Sequence, residues 1–375
     1  MFVAAAAAAV AQQTWIVDPS GSGNFTSPAA AIAAASPGDT IRLRGGGQYT
    51  TTSFTVDKRL AILGEGPART LVRGFDVVAG LNGTVQFAGF DAGSVRSYSP
   101  ISCEDLAMSS IVLFSTLASF HRCTIGGHTN LLGGANTGDV GYISQSRATF
   151  ADCNLHGGVG YSIQTLVCRS VPPAAAIQST RSDITLSNCV LVGGTGFSWA
   201  ACPGTVAPAG LALADFWGTV RITHCSLSGA LDGAGVLQPA MAVSFGTQLL
   251  VDATTTFQPA FNPGANVFLP GIEGLTAGPG GTMRCTVTSD PSLAAAMVAS
   301  LGLRAPTPLP EGPGWIDPGA FVVLRIGFTD PGGRFPVSVP LPTGVPSGLA
   351  VTFQGAVLSP AGVLTGSAPV VMQVL

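Results

Sequence analysis

Four residues in the middle of the chain carry the side-chain types that could break a glycosidic bond: Asp139, Arg147, Asp183 and Asp215. Hydrolysis of such a bond needs two carboxyl groups flanking it. Elimination beside a uronate needs a basic residue to take a proton, and an acid cluster can hold calcium for it. Arg147 and Asp183 each stand six residues before a cysteine, Cys153 and Cys189. That matching phase predicts that the two stack side by side. The simple outcome is a surface ion pair of small worth. The functional outcome is the wall of a sugar-binding groove, with Gln178 and Arg181 beside it. Aromatic faces can stack on sugar rings. Tyr161, Phe197, Trp199, Phe216 and Trp217 gather in the same stretch, and His128 and His156 are candidate contacts.

The elements that must position these residues follow from a repeat. Phe120-His121-Arg122-Cys123-Thr124-Ile125-Gly126-Gly127 is matched by segments centred on Cys153, Cys189 and Cys225, so the cysteines fall 30, 36 and 36 residues apart. Weaker copies end near Phe90, Ala253 and Cys285. Self-similarity of this period signals a solenoid. Ile184 and Leu186 alternate as in a strand, as do Cys189 and Leu191, but the phase slips by one between the pairs. A bend explains the slip. Gly89, Arg122, Asp152, Asn188, His224, Asp252 and Arg284 precede the cysteine-like positions. Several are types that tolerate a left-handed backbone. The period suits about eight coils of three strands and one variable loop, with neighbouring coils ~4.8 Å apart.

The cysteine column reads as small buried hydrophobes. One cysteine per coil makes no tetrahedral metal cluster. Cys168 and Cys202 differ, because they fall in the loops of adjacent coils and are candidates for a disulfide.

Composition narrows the classes. Charged residues are 9% of 375, the formal net charge is −3 and Lys58 is the only lysine. A nucleic-acid partner needs a basic footprint that this chain lacks. No apolar run reaches the ~18 residues of a bilayer span. Met1 to Gln12, with its run of alanines ending in Ala9-Val10-Ala11, reads as the remnant of a secretory signal, and the expected location is secreted or cell surface.

The opening order adds a resemblance. Trp15-Ile16-Val17-Asp18 leads to Gly21-Ser22-Gly23-Asn24-Phe25-Thr26, then Pro37-Gly38-Asp39-Thr40-Ile41, Gly47-Gln48-Tyr49 and Leu60-Ala61-Ile62-Leu63-Gly64-Glu65-Gly66. This resembles the start of the pectate-lyase-like right-handed parallel β-helix superfamily. The resemblance implies an all-β, right-handed parallel β-helix solenoid over 13–290, capped by a helix after Ser27-Pro28. It implies a fold, not an activity. The neighbouring-aspartate, Gly-His-Gly and Arg-Ile-Lys motifs of polygalacturonases are not intact here, so catalysis stays open.

After 290 the pattern changes. Residues 291–314 read as a short helix from Ser292 to Leu301 and a Pro-rich linker. Residues 315–375 read as a small sandwich-like β module, similar to modules that follow the β-helix in secreted proteins of planctomycete-like bacteria. The first expectation is therefore an exported monomer that binds a polysaccharide or cell-surface glycan along its middle coils. The second is a divergent polysaccharide lyase or glycoside hydrolase, with calcium as cofactor if a lyase. The third is a structural, adhesin-like spacer.

Overall fold

A computed structural model describes residues 12–46, 48–126, 140–158, 161–164, 168–171, 175–196, 209–244, 246–261, 267–301, 307–309, 312–314, 316 and 321–374, with 161–164, 168–171, 307–309 and 312–314 described as backbone. The signal-like segment 1–11 lies outside these residues.

The protein is all-β apart from one helix, and two long parallel sheets dominate it. The first sheet stacks ten strands, from Thr14–Val17 through Leu117–His121, Arg147–Ala151, Asp183–Ser187 and Thr219–Thr223 to Gln248–Val251. The second holds the remaining strands of each coil. In the later coils these come as a short middle strand, such as Asn154–His156, and a third strand, such as Ile177–Thr180. Alternation decides what fills the interior. Phe87, Cys103, Phe120, Phe150, Leu186 and Ile222 share one register column and are fully buried. The rings of Phe120 and Phe150 stack at 4.8 Å. Cys123, Cys153, Cys189 and Cys225 are buried free thiols that fill the start of each middle strand, as small hydrophobes should.

The bend column is present. Gly89, Asp105, Arg122, Asp152, Asn188 and His224 all have positive φ, the non-glycines between 49° and 55°. Each bend amide is used: Arg122 N–H donates to the Ala151 carbonyl, Asp152 to Ser187 and Asn188 to Thr223, at 2.9–3.1 Å. Stacking offsets the cost of the left-handed backbone by giving each bend from Gly89 to Asn188 a backbone carbonyl partner in the next coil, whereas His224 donates to the Asp252 carboxylate. Asp105 is an unexpected member. Asp252 and Arg284 are not members: Asp252 instead accepts from the Thr255 N–H and the His224 N–H. Gly126, at φ 81°, closes the following strand, and a β-carbon there would collide with the His156 carbonyl. Gly126→Ala is expected to lower stability by about 1–3 kcal/mol, read as a lower urea midpoint with unchanged slope.

Ten first-sheet strands exceed the eight coils expected. The strands beginning at Val85, Ile101 and Leu117 are only 16 residues apart. These coils carry no loop, and their outer strands run on unbroken as Asp91–Ser97 and Ala107–Phe114. The cysteine repeat reports only the loop-bearing coils.

The helix Pro28–Ala34 forms as its residues predict. Ser27 caps it, its hydroxyl accepting from Ala30 N–H at 3.3 Å, and proline opens the first turn. Its buried Pro28, Ala31 and Ile32 pack at the first coils, against Thr14–Val17, Thr40–Leu43 and Phe54–Val56. Among the described residues no helix is long and apolar enough to cross a membrane.

The C-terminal part differs from its reading in two places. Ala294–Leu301 is a strand, not a helix. Its alanines favour a helix, but Ala295, Met297 and Ala299 are buried with period two, and strands Phe321–Phe328 and Ala350–Leu358 pair with it on both sides. Tertiary pairing overrides propensity here. Cys285 is not a coil position either. Thr282–Thr288 sits between Gly271–Leu275 and Arg334–Pro340 in an antiparallel sheet. The antiparallel module thus begins by Gly271, ahead of the boundary at 290. Its three-stranded and four-stranded sheets share a core of Ile272, Met283, Val287, Met297, Phe335, Phe353 and Met372. The strand Leu364–Gln373 lies on the outer face of the first solenoid sheet.

Candidate functional site

The third strands form a flat outer face along the coils. Arg96, Val112, Tyr142, Gln178, Ala214 and Ala242 share one outward column. Phe114, Ser144, Thr180 and Phe216 share the next, nearer the corner, and Tyr98 stands beside Phe114. Inward positions between them, such as Leu113, Ile143 and Ser179, are fully buried, which fixes the face. Tyr98 and Phe114 stack at 5.2 Å with planes 13° apart, and Phe114 meets Tyr142 at 5.7 Å. Tyr98 is 43% exposed, Phe216 41% and Trp217 57%. At about 4.8 Å per coil, the aromatics from Tyr98 to Phe216 span roughly 20 Å.

A second left-handed column turns each third strand into the first sheet. Ser115, Gln145, Arg181 and Trp217 hold φ of 49–57°. Ser115, Gln145 and Arg181 donate their amides to Ser144, Thr180 and Phe216 carbonyls at 2.8–3.0 Å. Buried Ser146 and Ser182 brace this corner: Ser182 Oγ accepts from Ser146 N–H at 3.2 Å, and Ser146 Oγ accepts from Thr116 N–H at 3.2 Å. The corner therefore fixes where Arg181 and Trp217 project. The Arg181 guanidinium lies over the Trp217 ring at 5.9 Å.

The expected residues divide. Gln178, Arg181 and Trp217 lie on this face or its corner. Arg147 and Asp183 stack in register just past the corner and form an ion pair at 3.2 Å, with both side chains almost half exposed. Asp215 does not join them. It occupies the inward phase of Leu213–Phe216, in line with Ile143 and Ser179, and is fully buried. Burial raises its pKa, although hydrogen bonds from the Ser179 hydroxyl and from Thr247 Oγ1, at 2.8 Å, favour the ionised form. A one-residue phase difference put it on the wrong side for a groove. His156 is on the middle strand, in line with Gly126 and Val192, and so on another face of the coil. Asp139, His128, Trp199 and Cys202 lie outside the described residues. Tyr161 and Cys168 belong to a described backbone hairpin, Tyr161–Gln164 with Cys168–Val171, and the disulfide expectation falls outside the described residues.

Tyr98, Phe114 and Tyr142 were missed. Tyr98 and Phe114 precede the first cysteine repeat, and Tyr142 follows a loop of another length. Only the register aligns them.

The carboxylates at this surface are committed. Asp76 faces Arg96 at 3.8 Å and Asp183 faces Arg147. Among the described residues no group of three or more His, Cys, Asp or Glu gathers as metal ligands.

A second concentration of ionisable groups lies on the first sheet, under the C-terminal module. His121 and Glu104 are fully buried. His121 Nδ1 meets Glu104 Oε1 at 3.1 Å, and its Nε2 lies 3.4 Å from Asp152 Oδ2. The Arg122 guanidinium donates to Glu104 at 3.1 Å and forms a paired bond with Asp105 at 2.5 and 2.7 Å. Burial pushes the imidazole pKa down, but hydrogen bonds to Asp152 and Glu104 and the Glu104 charge win, raising it to about 9. The module closes the cluster. Glu104 Oε2 accepts from Gln373 N–H at 2.6 Å, and Arg122 donates to the Gly274 carbonyl at 3.2 Å and to Thr276 Oγ1 at 2.7 Å. This cluster has the inventory of an acid–base site, but its imidazole and Glu104 are fully buried and its bonds run to the module, while Arg122 and Asp105 border a cleft with Arg42 and Glu65. It ties the two parts together.

No family model matches this chain, and no curated protein matches it.

Proposed function

We propose that the protein binds a neutral polysaccharide along the outer face of its third strands. The carrying observation is the aromatic ladder Tyr98–Phe114–Tyr142, with Phe216 and Trp217 two coils further on, on a face whose other outward positions are Ser144, Gln178 and Thr180 together with Arg96, Val112, Ala214 and Ala242. Rings supply apolar stacking for sugar faces, and Ser144, Gln178 and Thr180 supply the polar groups that orient a glycan. A regular solenoid offers such contacts at a constant rise, which suits a polymer. The charges on this side are paired, as Arg96 with Asp76 and Arg147 with Asp183, or drawn over a ring, as Arg181. A uronate chain would have to displace those partners, so a neutral chain is favoured.

The same reading takes the coil as a right-handed β-helix of the pectate-lyase-like type, with Pro28–Ala34 as its cap. The Trp15–Gly66 motif order and the stacked bends support it. A polysaccharide ligand also puts the protein outside the cell or on its surface.

The test is a calorimetric titration against neutral β-glucan, mannan and xylan, with polygalacturonate for comparison. Binding to at least one neutral polymer and none to polygalacturonate is expected. Phe114→Ala removes one ring from the ladder and should weaken that binding about tenfold, the equivalent of ~1.4 kcal/mol, with an unchanged melting temperature. Preference for polygalacturonate, or full affinity in the variant, would refute the proposal.

A further inference from the structure

The four-stranded sheet of the module runs in the order Phe321–Phe328, Ala294–Leu301, Ala350–Leu358, Leu364–Gln373. Its last strand rests on the solenoid. The first is the opposite edge, with one partner strand among the described residues. Natural edges are guarded by lysine, proline, an inward charge or a bulge that twists the edge away, and of these Phe321–Phe328 has a bulge. Phe321–Phe328 has neither lysine nor proline, and its single charge is turned away: Arg325 donates to the Pro336 carbonyl at 2.7 Å and lies over the Phe335 ring at 5.1 Å.

A register shift gives this edge its character. Met297 opposes Arg325 while Val298 opposes Val323, so Leu324 is an extra, bulged residue. The bulge turns Leu324 toward the module core and brings Phe321, Val323, Ile326 and Phe328 onto one outward face, opposite Ser300, Val298, Ala296 and Ala294. These four are 46%, 46%, 75% and 72% exposed. Around the bulge they read the same from both ends: aromatic, β-branched, β-branched, aromatic.

We propose that this strand is the contact by which two copies of the chain associate. Antiparallel pairing about a two-fold axis sets each Phe321 opposite a Phe328 and each Val323 opposite an Ile326, on the same face. These are the cross-strand pairs that stabilise sheets, and the contact is isologous and closes at two copies. Each Arg325 then opposes a Leu324 of the other copy, with its guanidinium bonded to its own Pro336 carbonyl and lying over its own Phe335 ring. With aromatic side chains of roughly 150–250 Å² each, the four residues leave on the order of 400 Å² open per copy. Two copies bury about 800 Å² plus the strand edges, below the ~1,200 Å² at which stable specific interfaces begin and in the range of transient ones. The dimer is therefore weak and reversible, and the monomer expected from the sequence is its dilute form.

Sedimentation equilibrium of the full chain from roughly 1 to 300 µM tests this. The average mass should rise from 37.6 kDa toward twice that value. Ile326→Lys places a charge in the middle of the edge at a residue already 75% exposed. It should stay at 37.6 kDa throughout with an unchanged urea midpoint. Hydrogen exchange at 321–328 should slow with concentration in the parent chain alone. A parent chain that remains monomeric, a variant that associates equally well, or exchange that slows elsewhere instead would each overturn the proposal. So would a monomer that captures an extended apolar peptide at this edge.

Discussion

Glu104→Ala is expected to destabilise the protein by about 3–5 kcal/mol, the cost of breaking a buried ionic group by removing one partner. Glu104 is fully buried and serves three donors at once: His121 Nδ1, the Arg122 guanidinium and the Gln373 backbone N–H. Alanine leaves the imidazolium leaning on Asp152 alone and orphans the Gln373 amide. Because that amide belongs to the module, loss should show first there. Leu364–Gln373 should exchange its amide hydrogens faster than the coils, and the urea midpoint should fall. Glu104→Gln keeps the shape and one acceptor but not the charge, so it should fall between parent and alanine. Equal stability of all three proteins would show that the cluster does not hold the module.

The second large effect is a dependence on pH set by His121. Its proton is held more tightly in the folded protein, up to about 9 against 6.5 for an ordinary imidazole. A raised pKa in the folded state means that the stabilisation is complete below about 6.5 and is lost as pH rises through about 9. Glu104 and Asp152 face the ring from the solenoid, Arg122 opposes it, and the module presents the Gly274 backbone there, with no charge of its own. At 1.36 kcal/mol per pKa unit, the difference is about 3 kcal/mol. Urea titrations at pH 6 and pH 10 should differ by that amount. His121→Gln removes the titrating group, so its stability should change little across the same window. A parent chain equally stable at both values would contradict a protonated His121.

The sequence exposed the repeating part of the fold because the repeat is physical. A bend that must be left-handed selects Asp, Asn, His or Gly, and a core position of fixed size selects cysteine in four coils. Asn188 and Cys189 are legible for that reason. The loop-free coils between Val85 and Leu117 carry Leu106 where the later coils carry cysteine, so the count fell short. The second corner was invisible, since Ser115, Gln145, Arg181 and Trp217 share a backbone conformation but no side-chain type. The module suffered from competing signals: Ala294–Leu301 has helical composition and a strand's partners. At the site, the stacking of Arg147 on Asp183 followed from the cysteine phase alone. Asp215 did not, because inward or outward facing depends on where a strand starts after a loop of unmarked length. The His121 cluster was hidden for another reason. Its closing partners, Gly274, Thr276 and Gln373, lie more than 150 residues away in the chain.

The aromatic ladder as a glycan platform is tested most directly by oxidative footprinting of the full chain with and without a saturating neutral polysaccharide. Tyr98, Phe114, Tyr142, Phe216 and Trp217 should be protected together, while Trp15, at the first coil, should oxidise equally in both samples. Protection confined to other surfaces, or absent from these five residues at saturation, would contradict it.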